Sequence, residues 1–243
     1  MVFQIIGDGD LSVTVRLILM IFLPVTVIFS LAAHEFAHGF VSDFLGDPTA
    51  RRAGRLTLNP LKHIDPLGFL CLMFFGFGWA KPVPVNPRYY ANPKKGMAVT
   101  AFSGPLVNLF IGIISTVYLA LLVWFYETGI ITVFPVIGKM SGQVYLALST
   151  GLYIVLYLNI MLAVFNMIPV PPLDGSRLML AFLPEEKYFR LMRYERYTVL
   201  LIFLLLWTGI FNRLFEIIAD FVILGVGNTV FYFLDFIAFL LLK

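Results

Sequence analysis

The stretch SLAAHEFAHGF, residues 30–40, places two histidines and a glutamate inside an otherwise apolar run. His34 and His38 stand four residues apart. On a helix that spacing brings both imidazoles to one face, close enough to share a single tetrahedral Zn²⁺. Glu35 follows the first histidine of this H-E-x-x-H and projects beside such a metal, where it can take a proton from bound water. The plainer alternative is a set of interhelical hydrogen bonds. Two facts weigh against it. The chain has only 3 histidines, and polar groups in a membrane span cost a few kcal/mol each, so they are functional candidates by default.

A catalytic zinc needs a third protein ligand and leaves its fourth position to water. Nearest in sequence are His63 and the acids Asp43, Asp47 and Asp65. A more distinctive acid lies in FNMIPVPPLDGSR, residues 165–177. There an apolar run breaks at Pro169, Pro171 and Pro172 and then delivers Asp174 before Gly175. Prolines remove backbone donors and disfavour helix, so the chain is expected to leave its helix extended. Asp174 has a structural alternative too, as the cap of a helix beginning near Ser176.

The elements that must position these groups are membrane segments. With 60% hydrophobic and 13% charged residues, the chain departs from soluble domains, which are roughly half apolar and a quarter charged. Apolar runs at 12–45, 65–80, 97–125, 143–168, 197–224 and 228–242 reach or approach the ~20 residues that cross a bilayer. No basic face interleaved with aromatics points to nucleic acid, and the single Cys71 cannot form an internal disulfide. The opening MVFQIIGDGD lacks the basic residues of a signal peptide, so the first run reads as a retained helix. It is expected to bend at Pro24 and to stop at Gly46-Asp47-Pro48.

Charge placement orients the segments. Lys and Arg cluster after the first run (Arg51, Arg52, Arg55, Lys62), after the second (Lys81, Arg88, Lys94, Lys95) and after the fourth (Arg177, Lys187, Arg190, Arg193, Arg196). The N-terminal tail has none, and 126–142 has only Lys139. The positive-inside rule then puts the N-terminus outside and the three basic connections in the cytoplasm. Asp174 can thus meet His34 and His38 on the cytoplasmic side. The second run starts and ends beside cytoplasmic charge, is short and is rich in glycine. It reads as a re-entrant hairpin, which survives only when packed against protein or a wet cavity.

GRLTLNP (54–60) and KPVPVNP (81–87) alternate apolar and polar residues and read as short strands flanking that hairpin. Their edge could capture an unwound substrate by strand addition, or simply seal the site. YFRLMRYERY (188–197) reads as an interfacial stretch with snorkelling arginines. The expected fold is an all-α polytopic membrane protein of five to six segments, one re-entrant, with a small β element near the site. It forms a single domain over 1–243, with a core at 12–183 and C-terminal segments at 197–242.

HEFAH at 34–38 with NMIPVPPLDG at 166–175 resembles the site-2 protease family of intramembrane zinc metalloproteases. GDPTARRAGRLTLNPLKHIDPLG, FGWAKPVPVNP and SGPLVN are similar to its compact bacterial branch, and together these motifs cover most of residues 30–180. The resemblance implies that His34, His38 and Asp174 bind one Zn²⁺ per chain and that Glu35 is the catalytic acid/base. It implies that Asn166 lies near the metal as a donor to the substrate carbonyl, although an interhelical hydrogen bond is the competing role. It further implies a cell-membrane enzyme whose substrates are transmembrane segments of other proteins in the bilayer. Neither the PDZ-like insert nor the nucleotide-sensing module of other branches is seen in the sequence.

In such a site zinc would acidify its bound water toward pKa ~7, and Glu35 would take the proton and return it to the leaving amine. Asn108 of SGPLVN faces the site or packs helices. His63 and Asp65 read as structural, with a supporting role open to them. Two rival functions use the same residues: a membrane metal-ion transporter, and an inactive scaffold that retains zinc. One compact H-E-x-x-H with a single distant acid predicts one tight site, not an ion path, and a scaffold has no need of Glu35.

Overall fold

The computed structural model describes residues 13–75, 78–128, 142–179 and 208–241, with scattered positions between 182 and 205. The N-terminal tail, the connection 129–141 and most of YFRLMRYERY lie outside the described residues. Helix dominates: α1 (Val13–Phe44), α2 (Thr49–Arg52), α3 (Pro66–Phe75), α4 (Pro93–Glu127), α5 (Gly142–Asn166), α6 (Asp174–Met179), α7 (Ile210–Val222) and α8 (Asn228–Leu241). Four helices among the described residues are long and apolar enough to cross a membrane: Met20–Phe44, Pro93–Glu127, Val144–Asn166 and Arg213–Ala238. The chain is a multi-pass membrane protein. The last two apolar runs meet at a π-helical turn, Ile223–Gly227, so α7 and α8 continue as one helical run.

Local chemistry sets the ends of these helices. At the end of α1 the Gly46 N–H donates to the Asp43 carbonyl and the Asp47 N–H to that of Ser42, both at 3.0 Å. This Schellman pattern needs a left-handed residue, and Gly46 has φ +101°. Three Asn-Pro pairs start helical turns elsewhere. The Asn59, Asn86 and Asn92 side chains each accept a backbone N–H of the turn they open, with proline in its first turn.

The segment after Asp65 returns to where it left. α3 has 10 residues and rises only ~15 Å at 1.5 Å per residue, half a bilayer core of ~30 Å. Beyond it Ala80 forms an antiparallel bridge with Ile64, and the Lys81 N–H donates to the His63 carbonyl at 2.8 Å. Gly68 makes the close return possible, since a Cβ there would stand 2.2 Å from the Trp79 carbonyl oxygen.

The expected strands are a correction. Among the described residues no regular strand forms, and GRLTLNP and KPVPVNP are irregular. Besides the single bridge beyond their ends, Arg55 Nη2 donates to the Lys81 carbonyl at 2.6 Å. The reason is proline. Pro82 and Pro84 strip the donors from one edge of the second segment, so no ladder can grow there. The alternation in KPVPVNP is proline against other residues and carries no pleat.

Helix packing centres on α4, whose most extensive contacts are with α5 and α1. Gly96, Thr100, Gly104, Asn108, Gly112 and Thr116 recur every fourth residue along it, and all are buried. In lipid, helices associate through close van der Waals contact and interhelical hydrogen bonds, and small residues permit the approach. At Gly112 a Cβ would meet Ile160 of α5 at 2.8 Å. A smaller apolar cluster, Leu23 and Val27 against Ile154 and Leu158, joins α1 to α5.

Candidate metal centre

α1 carries His34 and His38 one turn apart, both buried, with ring centroids 4.7 Å apart. Asp174 opens α6 after the proline-broken segment, and its side chain is 13% exposed. Gly175 lets this turn close tightly, because a Cβ there would fall 2.3 Å from the Met167 carbonyl oxygen. The outcome is a triangle of donor atoms. His34 Nε2 lies 3.0 Å from Asp174 Oδ2, His38 Nε2 lies 3.2 Å from the same oxygen, and the two nitrogens are 3.1 Å apart. Ligands about 2.0–2.1 Å from a tetrahedral zinc stand roughly 3.3 Å from one another. The three donors fit that ion, and among the described residues they form the one His/Cys/Asp/Glu group able to hold a metal.

The rings' outer nitrogens decide where their protons are. His38 Nδ1 lies 2.7 Å from the Thr100 carbonyl, which can only accept. His34 Nδ1 lies 2.6 Å from Asn108 Oδ1. The Asn108 orientation is fixed in turn, because its Nδ2 donates to Asn159 Oδ1 at 2.8 Å and to the Ser30 carbonyl at 3.4 Å. Asn159 is fixed by donating to the Val155 carbonyl at 2.8 Å and to Ser30 Oγ at 2.9 Å. In their neutral form both imidazoles therefore carry hydrogen on Nδ1. Their Nε2 lone pairs and a carboxylate oxygen then converge with no proton among them, an arrangement that a shared cation resolves.

Glu35 is half-buried, and its Oε2 accepts the Val83 N–H at 2.8 Å. KPVPVNP therefore lies over the helix face that carries the expected base. Val83 also contacts α1 at Gly39, where a Cβ would come within 3.1 Å of its side chain. Asn166, the expected substrate donor, ends α5 with its Nδ2 on the Leu162 carbonyl at 2.9 Å. The other candidate ligands lie outside the triangle. Asp43 pairs with Arg51 at 2.5 Å, Asp65 caps α3 through the Gly68 N–H at 2.9 Å, and His63 Nε2 donates to the Thr57 carbonyl at 2.8 Å.

The Ser30 and Asn159 contributions have no short-range signal, since they reach Asn108 across 78 and 51 residues. The four-residue recurrence of small and polar residues in α4 was the one available clue to that helix's face. Replacing Asn108 with Ala leaves His34 Nδ1–H without its acceptor. Zinc affinity is expected to fall about 10–100-fold, the usual effect of removing such an outer partner. Competition with a chromophoric chelator measures this, and wild-type affinity in Asn108→Ala would show that His34 is oriented without it.

Residues 22–208 match the family model described as Peptidase family M50. The chain is 37% identical over 183 residues, 74% of its length and 77% of the relative's, to "Putative zinc metalloprotease YwhC" of Bacillus subtilis (strain 168). It is 25% identical over 191 residues, 76% of its length and 66% of the relative's, to "Putative zinc metalloprotease Rip2" of Mycolicibacterium smegmatis (strain ATCC 700084 / mc(2)155). No solved structure matches it at a comparable level.

Proposed function

The chain belongs to peptidase family M50, and from that premise we propose that this membrane zinc metalloprotease hydrolyses peptide bonds in or beside transmembrane segments of other membrane proteins. One observation carries the reading: three donors from α1 and α6, the two imidazoles oriented by their outer partners, converge on one point among membrane helices. His34, His38 and Asp174 hold the metal. When bound, zinc supplies a Lewis acid that acidifies water and polarises a carbonyl.

The chain's own groups do the rest. Glu35 accepts a proton from the attacking water and delivers it to the leaving amine. Its Oε1 can do so while Oε2 keeps the Val83 N–H. Asn166 supports the developing oxyanion with the second Nδ2 hydrogen, the first being held by the Leu162 carbonyl. A helical substrate has its carbonyls occupied, so it must unwind to be cut. The Lys81–Val85 edge faces Glu35, and such an extended segment would pair with it by displacing the bonds that its Lys81 and Val83 N–H groups now make. We assign all of 1–243 to one membrane domain, with the N-terminus outside and the metal toward the cytoplasm.

Purified protein is expected to hold one zinc per chain and to cleave members of a panel of membrane-protein substrates. A chelator should abolish cleavage and added zinc should restore it. Metal uptake into reconstituted vesicles without any peptide cleavage would replace the protease reading with the transporter.

A further inference from the structure

A second buried polar chain runs from the end of α1 to His38. Asp47 is fully buried at the residue that closes the Schellman turn. Its carboxylate accepts hydrogen bonds from Ser42 Oγ at 2.8 Å, from the Asn86 N–H at 2.7 Å and from the Thr49 N–H at 3.0 Å, and a further one from the Thr49 hydroxyl. The directions of the next bonds follow. Ser42 has one hydroxyl hydrogen and spends it on Asp47. Tyr90 Oη, 2.7 Å from Ser42 Oγ, must therefore donate to it. That spends the phenol hydrogen, so Thr100 Oγ1, 3.1 Å away, donates to Tyr90. Beyond it, the Thr100 carbonyl receives His38 Nδ1–H.

Geometry gives this chain a purpose. Ser42 lies one helical turn after His38 on the same face of α1, while Thr100 belongs to α4. The Tyr90 hydroxyl ties the two helices together beside the metal ligand, and it thereby fixes where the Thr100 carbonyl stands. The ring is wedged in place, since a Cβ on Gly96 would lie 2.3 Å from it. Burial pushes the Tyr90 phenol up, which keeps it a neutral donor. Burial opposes ionisation of Asp47 as well, but the Asn86 N–H and the hydroxyls prevail and hold its carboxyl below the ordinary range.

We infer that Tyr90, anchored through Ser42 to Asp47, is a positioning residue that sets the hydrogen bond between Thr100 and His38 and through it the zinc affinity of the centre. The inference rests on reading that centre as a zinc site. It is tested on full-length protein in detergent by zinc competition with a chromophoric chelator and by the visible spectrum of the Co²⁺-loaded form. Tyr90→Phe keeps the ring against Gly96 and removes the hydroxyl. It is expected to weaken zinc about tenfold and to shift the cobalt bands. Thr100→Val should do the same, and the double variant should lose no more than either single one, because the two hydroxyls act through one chain.

Thr100→Ser, which restores the hydroxyl, should recover the affinity lost in Thr100→Val. Trp124→Phe breaks the remote bond from Trp124 Nε1 to Asp235 Oδ1, 2.7 Å, and should leave both metal readouts unchanged. Wild-type affinity and spectrum in Tyr90→Phe and Thr100→Val would overturn the inference while leaving the zinc site standing. So would an equal loss in Trp124→Phe, which would mark a general loosening of the fold. Should Tyr90→Phe fail to fold, Thr100→Val decides by itself. A wild-type protein that binds neither ion would remove the zinc reading and the inference with it.

Discussion

Glu35→Gln is expected to retain one zinc per chain and to lose peptide cleavage by about 10²–10⁴-fold, the range supplied by a positioned general base. The substitution is close to isosteric and spares all three donor atoms of the triangle. The Gln carbonyl oxygen can still accept the Val83 N–H that now meets Glu35 Oε2 at 2.8 Å. The extended 81–87 segment should therefore keep its place, and only the capacity to accept and return a proton is removed. Metal content by elemental analysis and cleavage by gel assay, run on one preparation, separate the two properties. Cleavage within tenfold of wild type would remove Glu35 from the chemistry.

The second large effect is expected at Gly104. A Cβ there would stand 2.5 Å from His38 Nε2, 2.6 Å from His38 Cε1 and 2.7 Å from His34 Cε1. These are ring atoms held on their far sides by the Thr100 carbonyl and by Asn108, so they cannot swing aside as a flexible chain end would. Gly104→Ala must displace the imidazoles or push α4 off α1. Overpacking of this kind costs about 1–3 kcal/mol in stability, and the zinc donors bear the displacement directly. Zinc affinity should fall more than in Asn108→Ala. Gly142→Ala, where nothing lies within 4 Å, should change neither zinc affinity nor thermal stability. Stoichiometric, tight zinc in Gly104→Ala would mean that the helix pair tolerates a wider gap than its packing implies.

Much of this site was legible in the sequence because its decisive spacing is local. Two histidines four apart need only a helix to share a face. Asp174 was reachable through topology, since positive charge puts the ends of the first and fourth runs on one side of the membrane. The supporting groups were not legible. Asn108 was noticed without a partner, and Asn159, Ser30 and Tyr90 do their work through contacts 51 to 129 residues apart or through a hydroxyl chain. The strands were misread for a definable reason, since proline and β-branched residues in alternation imitate the pattern of a pleat while removing its donors. Glu35's partner escaped as well, because a backbone N–H has no signature in the side-chain sequence.

The four-residue recurrence along α4 has a mechanical meaning. Four residues turn an α-helix by about 400°, so each step advances the row by roughly 40° around the axis. Gly104 meets the histidines of α1, Asn108 reaches both α1 and α5, and Gly112 meets Ile160 of α5. The helix therefore acts as a camshaft, its notches phased to receive the metal-bearing helix at one level and the scaffold helix two turns later. Adding or deleting one residue between Thr100 and Gly112 would rotate one set of notches by about 100° against the other. Such a change can keep every ligand in the chain and still leave them unable to assemble.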